Sequence, residues 1–131
     1  MVRIVYWAAT GLLALIYLGG GVFYLSSHAM VAELYATLGY PAYIITPLAI
    51  AKLAGAVVIL VRRPVWLSDL AYAGMFFHLI LAASAHINAG DGGFLPAVVA
   101  LLLLLVSFFT QNAVRRGASP YAGSRFGLAA A

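Results

Sequence analysis

The sequence predicts an all-α membrane protein, an antiparallel four-helix transmembrane bundle with a short interfacial helix between spans 1 and 2. Two observations support this fold class. Hydrophobic residues make up 66% of the chain and charged residues only 8%, whereas a soluble domain carries about 25% charged residues. The arginines also lie only at the two termini and in the connection between the second and third apolar segments. Such a chain cannot cover a water-exposed surface, so we expect one transmembrane domain over residues 1–131.

Four apolar segments approach the length of about 20 residues that a membrane-spanning helix requires. They cover residues 4–25, 44–61, 67–87 and 94–114. The first could be mistaken for a signal peptide, because Arg3 precedes it and Ser-Ser-His-Ala follows it. Its apolar part is longer than a signal core, so we interpret it as a retained helix.

The basic residues predict the orientation of the bundle. Six of the seven lie at one end of it, and they are Arg3, Arg62, Arg63, Arg115, Arg116 and Arg125. The connections at the other end contain no Lys or Arg. The positive-inside rule therefore predicts that both termini and the Arg62–Arg63 turn are cytoplasmic. The net charge is +4, but the basic residues form no basic helix, so we expect no nucleic-acid partner.

The connections have different predicted structures. The long one, residues 26–43, contains a short amphipathic pattern that predicts an interfacial helix ended by Gly39 and Pro41. Its apolar face comprises Met30, Val31, Leu34, Tyr35 and Leu38. The "NAGDGG" connection predicts a tight turn. Residues 117–131 are small and polar without periodicity, and we expect a flexible cytoplasmic tail.

Lys52 lies within the second apolar segment, in "LAIAKLAGAVVIL". A lysine at the centre of a spanning helix costs about 2.5–3.5 kcal/mol. Its side chain reaches about 6 Å, which falls short of an interface about 13 Å away. Because Lys52 shares a helical face with Ala49, Gly55 and Ala56, we expect it to face the bundle interior.

Two other segments place polar groups on one face. In the third segment His78 lies on a face of small residues with His86 at its margin, and the face comprises Ala71, Gly74, Met75, His78, Ala82 and Ala85. We expect His78 at the depth of Lys52. In the first segment one line carries Tyr6, Thr10, Tyr17 and Tyr24. This line is either an interfacial aromatic belt plus one buried hydroxyl, or an inward stripe of phenols along a pocket.

The partner of Lys52 decides between two interpretations. A carboxylate from Glu33 or Asp91 would make Lys52 a structural ion pair or a charged clamp over a pocket. Contact with only tyrosines, His78 or His86 would favour a neutral or ligand-binding amine. A lysine hydrogen-bonded to helix carbonyls is a further structural alternative. For His78, a hydrogen-bonded core histidine is the alternative to a ligand-binding one.

Metal and haem sites lack complete ligand sets in this sequence. A bis-histidine haem would need His28 and His86 to face each other, and zinc would need a third ligand such as Glu33 or Asp91. The chain has no cysteine, which excludes disulfides and thiolate metal sites. It also lacks phosphate-binding and metallopeptidase motifs. We therefore expect a colourless protein with no metal and no cofactor.

Four phrases resemble the DoxX-like family of small four-helix membrane proteins. They are "LGYPAY" (38–43), "IAKLAGA" (50–56), "LAYAG" (70–74) and "SAHINAGDG" (84–92). The resemblance runs from about Tyr6 to Ser107, and Lys52, Tyr72 and His86 match positions of the family pattern. It implies the four-helix fold and a bacterial cytoplasmic (inner) membrane. DoxX and DoxD proper, which are distant, are associated with thiosulfate:quinone oxidoreduction and thiol redox complexes.

Three functions remain as hypotheses. The first is an intramembrane pocket that binds a lipophilic small molecule such as a quinone or a terpenoid, lined by Lys52, His78, His86, Tyr17, Tyr72, Glu33 and Asp91. The second is an accessory or structural subunit of a larger membrane redox or respiratory complex, which the apolar run 101–105 would contact. The third is a membrane isomerase or cyclase with Lys52 and a histidine as acid and base. Membrane lipid and a second copy of the chain are further expected partners.

Overall fold

The computed structural model describes residues 1–123, which form five α-helices and one short 3₁₀ turn. The helices are α1 (Val2–Ser26), α2 (His28–Thr37), α3 (Ile45–Val61), α4 (Val65–Ala89) and α5 (Leu95–Val114), and the 3₁₀ turn Ala42–Ile44 leads into α3. Four of the helices in residues 1–123 are long and apolar enough to cross a membrane: α1, α3 with its 3₁₀ turn, α4 and α5. The predicted helical membrane bundle is confirmed, and the short helix follows the first span as expected.

The four long helices form a ring in which α1 and α4 lie on a diagonal. α1 packs on α3 and α5, and α4 packs on the same two helices. The centre is apolar and contains Leu13, Ala56, Ile59, Leu79 and Leu104. The contact between α1 and α3 is close at Gly21, where a Cβ atom would lie 2.7 Å from Leu53 Cγ. A small residue is therefore required at Gly21, as is usual where membrane helices approach each other.

Polar contacts between α3 and α5 fix the end of the bundle that carries the arginines, which we call the arginine end. The Arg62 side chain is buried, and its Nε and Nη2 donate to Gln111 Oε1 (3.0 Å) and Asn112 Oδ1 (3.2 Å). Arg115 donates to the Leu60 and Val61 carbonyls, both at 3.0 Å. These carbonyls belong to the last turn of α3, which has no intrahelical donor for them. Arg125, which the sequence also predicts at this end, lies outside the described residues.

The chain turns back at the arginine end after α5. Asn112 Nδ2 donates to the Ser119 and Gly123 carbonyls, and the Ser119 N–H donates to Asn112 Oδ1, each at 2.8 Å. Ser119 and Ala122 are buried. Residues 117–123 are thus packed against α5 and do not form the first part of a flexible tail. The rest of that predicted tail, residues 124–131, lies outside the described residues.

α2 is attached to the bundle by a narrower face than the sequence predicts. Val31 and Tyr35 are buried against Ile45. Met30 and Leu34, which belong to the same predicted apolar face, are 62% and 43% exposed. This exposed apolar surface is available to lipid at the membrane interface.

A buried cluster of hydroxyl groups joins α1, α4 and α5. Ser107 Oγ lies 2.6 Å from Thr10 Oγ1 and 2.6 Å from the Tyr72 hydroxyl. Tyr6 is fully buried one turn away along α1. The aromatic-belt interpretation of the α1 line is therefore wrong for Tyr6, and the line faces the bundle interior.

Other buried polar atoms have no hydrogen-bond partner among the protein groups of residues 1–123. They are Tyr6 Oη, Ser68 Oγ, both carboxylate oxygens of Asp69 and Gln111 Nε2. A buried group without a partner costs about 1–3 kcal/mol. Ser68, Asp69 and Gln111 were not predicted as buried polar groups, because they lie near the ends of their apolar segments.

We expect Ser107→Ala to lower the free energy of unfolding in detergent by about 1–2 kcal/mol, since it removes two hydrogen bonds that in membrane bundles average about 0.6 kcal/mol each and leaves two hydroxyls buried. Ser68→Ala is the matched control, because Ser68 is equally buried and has no partner. It should leave stability unchanged or raise it. Equal losses in the two variants would contradict this account.

Candidate functional site

Lys52, Tyr17 and Tyr24 meet where α3 packs on α1. The Lys52 Nζ atom lies 4.2 Å from the centre of the Tyr24 ring and 5.7 Å from the centre of the Tyr17 ring. Tyr17 and Tyr24 are seven residues apart and so share a face of α1. Gly20 lies between them, and a Cβ atom there would be 3.3 Å from the Lys52 amine. The glycine leaves room for the ammonium group between the two rings.

Tyr17 connects this amine to α4. Its hydroxyl lies 2.9 Å from Nδ1 of His78 and 3.3 Å from the carbonyl oxygen of Met75. The rings of Tyr17 and His78 meet edge to face with centroids 5.6 Å apart. Lys52 and His78, from antiparallel neighbours, therefore both lie close to the Tyr17 side chain.

The contacts of Lys52 exclude the charged-clamp interpretation. Within residues 1–123, His86 and Asp91 form the one ion pair, and Glu33 is exposed on α2. A desolvated ammonium over aromatic rings gains about 2 kcal/mol, which is close to the cost of about 2.5–3.5 kcal/mol for a central lysine. Two tyrosine faces can thus offset the burial of the charge without a carboxylate.

Two cavities that share lining residues border this group. The inner one has a volume of about 210 Å³ and is lined by Tyr17, Lys52, Gly55, Met75 and His78, among others. A larger groove of about 580 Å³ extends toward α2, with Tyr24, Tyr35 and His86 in its wall. His78 contributes to both walls. Together they have the size of small-molecule sites, which typically measure about 300–1,000 Å³.

His86 and Asp91 close the connection between α4 and α5 at the α2 end of the bundle. His86 Nδ1 lies 2.8 Å from Asp91 Oδ2, and the Gly93 N–H donates to Asp91 Oδ1 at 2.7 Å. The Gly93 N–H and the His86 ring both lower the pKa of the Asp91 carboxyl group, because each stabilises the carboxylate. The pair positions the His86 ring in the wall of the larger groove.

The structure divides the seven predicted site residues into four groups. Tyr17, Lys52 and His78 lie together, and His86 with Asp91 lies at the α2 end of the groove. Tyr72 belongs to the hydroxyl cluster with Ser107 instead. Glu33 contributes to neither cavity.

Tyr24 is the ring nearest to Lys52. Its line on α1 left open whether it faces the bundle interior or an aromatic belt, and Tyr24 was not predicted as a partner of Lys52. The seven-residue spacing from Tyr17 was the signal that could have identified it. In the described part of the chain, no three His, Cys, Asp or Glu side chains are arranged to hold a metal ion.

We expect an NMR titration in micelles to give Asp91 a pKa below the ordinary 3.8. His86→Ala should raise that pKa only in part, because the Gly93 N–H remains. Asp91 binds its proton more tightly in the unfolded chain than in the folded protein. Its contribution to the free energy of unfolding is therefore complete above the ordinary pKa, and it is lost as the pH falls through the lower pKa of the folded protein. A native pKa at or above 3.8 would contradict these contacts.

Comparison with known proteins identifies the family but no individual relative. No curated protein and no solved structure gives a significant match. The model of the DoxX-like family matches residues 8–108, a range that contains Tyr17, Lys52, His78, His86 and Asp91. This range covers well over half of the 131 residues and includes most of all four spanning helices. The chain is thus a small integral membrane protein that belongs to the DoxX-like family.

Proposed function

We propose that this protein binds a lipophilic small molecule, such as a quinone or a terpenoid, in these two neighbouring cavities. One observation supports this proposal most strongly. The Lys52 ammonium borders the inner cavity beside the Tyr17–His78 pair, and no carboxylate neutralises it within residues 1–123. A cation kept in that position is suited to a ligand oxygen.

The chemistry of the inner cavity matches a carbonyl group. An ammonium group has three N–H donors, and contact with a ring face leaves N–H groups free for a ligand. The Tyr17–His78 pair offers a second polar contact, which donates or accepts according to the histidine tautomer. A quinone or an oxygenated terpenoid supplies acceptor oxygens of this kind.

The larger groove suits the hydrocarbon part of such a ligand. Its wall is predominantly apolar and includes Leu34, Leu38, Phe77 and Leu81. Phe77 and Leu81 are 64% and 58% exposed on the outside of the bundle, where lipid would lie. A chain in this groove could pass between the protein and the membrane without crossing water.

A membrane isomerase or cyclase is the second candidate function. It is favoured by the 2.9 Å contact between Tyr17 and His78 beside Lys52, which places proton donors and acceptors on one cavity. The accessory-subunit hypothesis has no equivalent support. Within the run 101–105 that it relied on, Leu104 is buried in the core, so the run does not form one outer contact surface.

We further propose the bacterial cytoplasmic membrane as the location, with the arginine end on the cytoplasmic side. The support is the charge asymmetry between the two ends of the bundle. Arg62, Arg63, Arg115 and Arg116 lie together at one end, and the opposite end carries the His86–Asp91 pair.

We expect Lys52→Met to weaken the binding of decyl-benzoquinone to the detergent-purified protein by about tenfold or more, because a hydrogen bond from a charged donor is worth about 1.5–3 kcal/mol. Isothermal titration calorimetry would measure the affinity. The variant should remain folded or gain stability, because an expensive buried charge is removed.

Tyr72→Phe is the matched control, since it also removes a buried polar group of the bundle but lies outside both cavities. It should keep the affinity of the unmodified protein. Unchanged affinity in Lys52→Met would refute the proposed site. Turnover of a terpenoid probe that both Lys52→Met and His78→Phe abolish would favour the isomerase or cyclase instead.

The orientation can be tested with single cysteines, because the chain has none of its own. Asn88 and Ala118 are both exposed, at opposite ends of the bundle; Ser119 is buried and unsuitable. We expect a membrane-impermeant maleimide to label Asn88→Cys in intact cells, and Ala118→Cys only after lysis. Labelling of Ala118→Cys in intact cells would contradict the proposed orientation and place the arginine end outside the cell.

A further inference from the structure

The arginine end contains a cleft that the proposed function does not use. Its volume is about 520 Å³, and its wall includes Arg62, Arg63, Arg115 and Arg116. The two arginine pairs are separated by 51 positions in sequence and meet because α3 and α5 end side by side. Among residues 1–123, no acidic side chain contributes to this wall. The cleft is therefore a concentrated positive site.

The four arginines have different roles. The side chains of Arg62 and Arg115 donate to neutral groups of α3 and α5 and hold the bundle together. Arg63 and Arg116 are exposed, and within residues 1–123 their side chains donate to no protein group. Asp69 is the carboxylate that interacts electrostatically with Arg62. It lies outside the cleft, in a groove between α4 and α5 that Trp66 and Phe108 also line. Arg63 and Arg116 are thus available to an anion.

The chemistry of the wall favours a phosphate group. Guanidinium groups match the geometry of phosphate oxygens and bind them in a bidentate manner. The cleft also includes Val65 in the first turn of α4, where no side chain caps the helix. The positive end of the helix dipole adds to the field of the arginines.

The surroundings of the cleft favour a lipid over a soluble anion. Val61, Val65 and Val114 form the apolar part of its wall, and Val61 is 55% exposed. Trp66, 65% exposed, follows Val65 in the chain and marks the depth of a membrane interface. A head group in the cleft would therefore have its acyl chains beside apolar side chains.

We propose that this cleft binds the phosphodiester head group of an anionic phospholipid, with Arg63 and Arg116 as the contacting residues. Basic pockets between spanning helices at the cytoplasmic face are suited to such head groups. The lipid would connect the α3–α4 turn to the end of α5 from outside. This site is independent of the Lys52 cavities, which face the opposite half of the bundle.

Tryptophan fluorescence can report the occupancy of this cleft. The chain has two tryptophans, and both are close to it: Trp66 follows Val65, and the Trp7 ring centre lies 5.0 Å from Arg115 Cζ. The full-length protein would be placed in nanodiscs of phosphatidylcholine containing increasing amounts of bromine-labelled phosphatidylglycerol. Bromine-labelled phosphatidylcholine gives the zwitterionic reference. We expect quenching by phosphatidylglycerol at a lower mole fraction.

The variants distinguish a site from a general surface charge. Arg63→Gln and Arg116→Gln should each reduce the preference for phosphatidylglycerol by about tenfold, because each removes a charge-assisted guanidinium–phosphate contact. Arg3→Gln removes the same charge from an exposed residue outside the cleft. It should change the preference by less than about twofold, because its field is screened by salt.

Three results would overturn the proposal. They are equal quenching by the two lipids in the unmodified protein, an equal loss in Arg3→Gln and Arg116→Gln, and complete reversal of the quenching by inorganic phosphate at physiological ionic strength. The last result would show recognition of a free anion. Circular dichroism of each variant confirms that the helices are retained, so a loss of preference is not a loss of fold.

Discussion

The burial of one ammonium group, that of Lys52, is the constraint around which this bundle is organised. A central lysine costs a few kcal/mol in a membrane, and no carboxylate approaches it within residues 1–123. Instead α1 presents the rings of Tyr17 and Tyr24 and a gap at Gly20. The arrangement depends on close packing of α1 on α3. A shift of one residue between these helices would move the amine off both rings.

The two ends of the bundle use polar groups differently. At the arginine end, side chains join α3 to α5 through Arg62 and Arg115, and the returning segment 117–123 is held by Asn112. At the α2 end there is a groove of about 580 Å³, and the polar side chains in its wall are tyrosines and histidines. Side-chain hydrogen bonds therefore join the helices at one end, whereas a groove lies between them at the other. This contrast is what a pocket entered from the lipid near α2 would require.

Membership of the DoxX-like family establishes the fold and the membrane location, whereas the function has to be argued from the site. The Lys52 cavity and the arginine cleft support two separate proposals. The first has a cation, a phenol–imidazole pair and an apolar groove in sequence from inside to outside. The second has exposed guanidinium groups at the level of a tryptophan. The two cavities differ in polarity and lie in opposite halves of the bundle, so the two proposals name different ligands.

The sequence by itself determined the four spans, the short α2 helix, the inward face of Lys52 and the line of phenols on α1, because length, charge placement and helical periodicity are local properties. Tertiary structure alone decided which groups meet. The most buried line of α4 is Ser68, Tyr72, Met75 and Leu79, and Gly74, placed on the predicted inward face, is exposed. Lipid and core are both apolar, so hydrophobicity does not define how such a helix is rotated. The tyrosine partners of Lys52 and the packing of residues 117–123 on Asn112 depend on how separate parts of the chain are placed against each other. No single segment of the sequence contains that information.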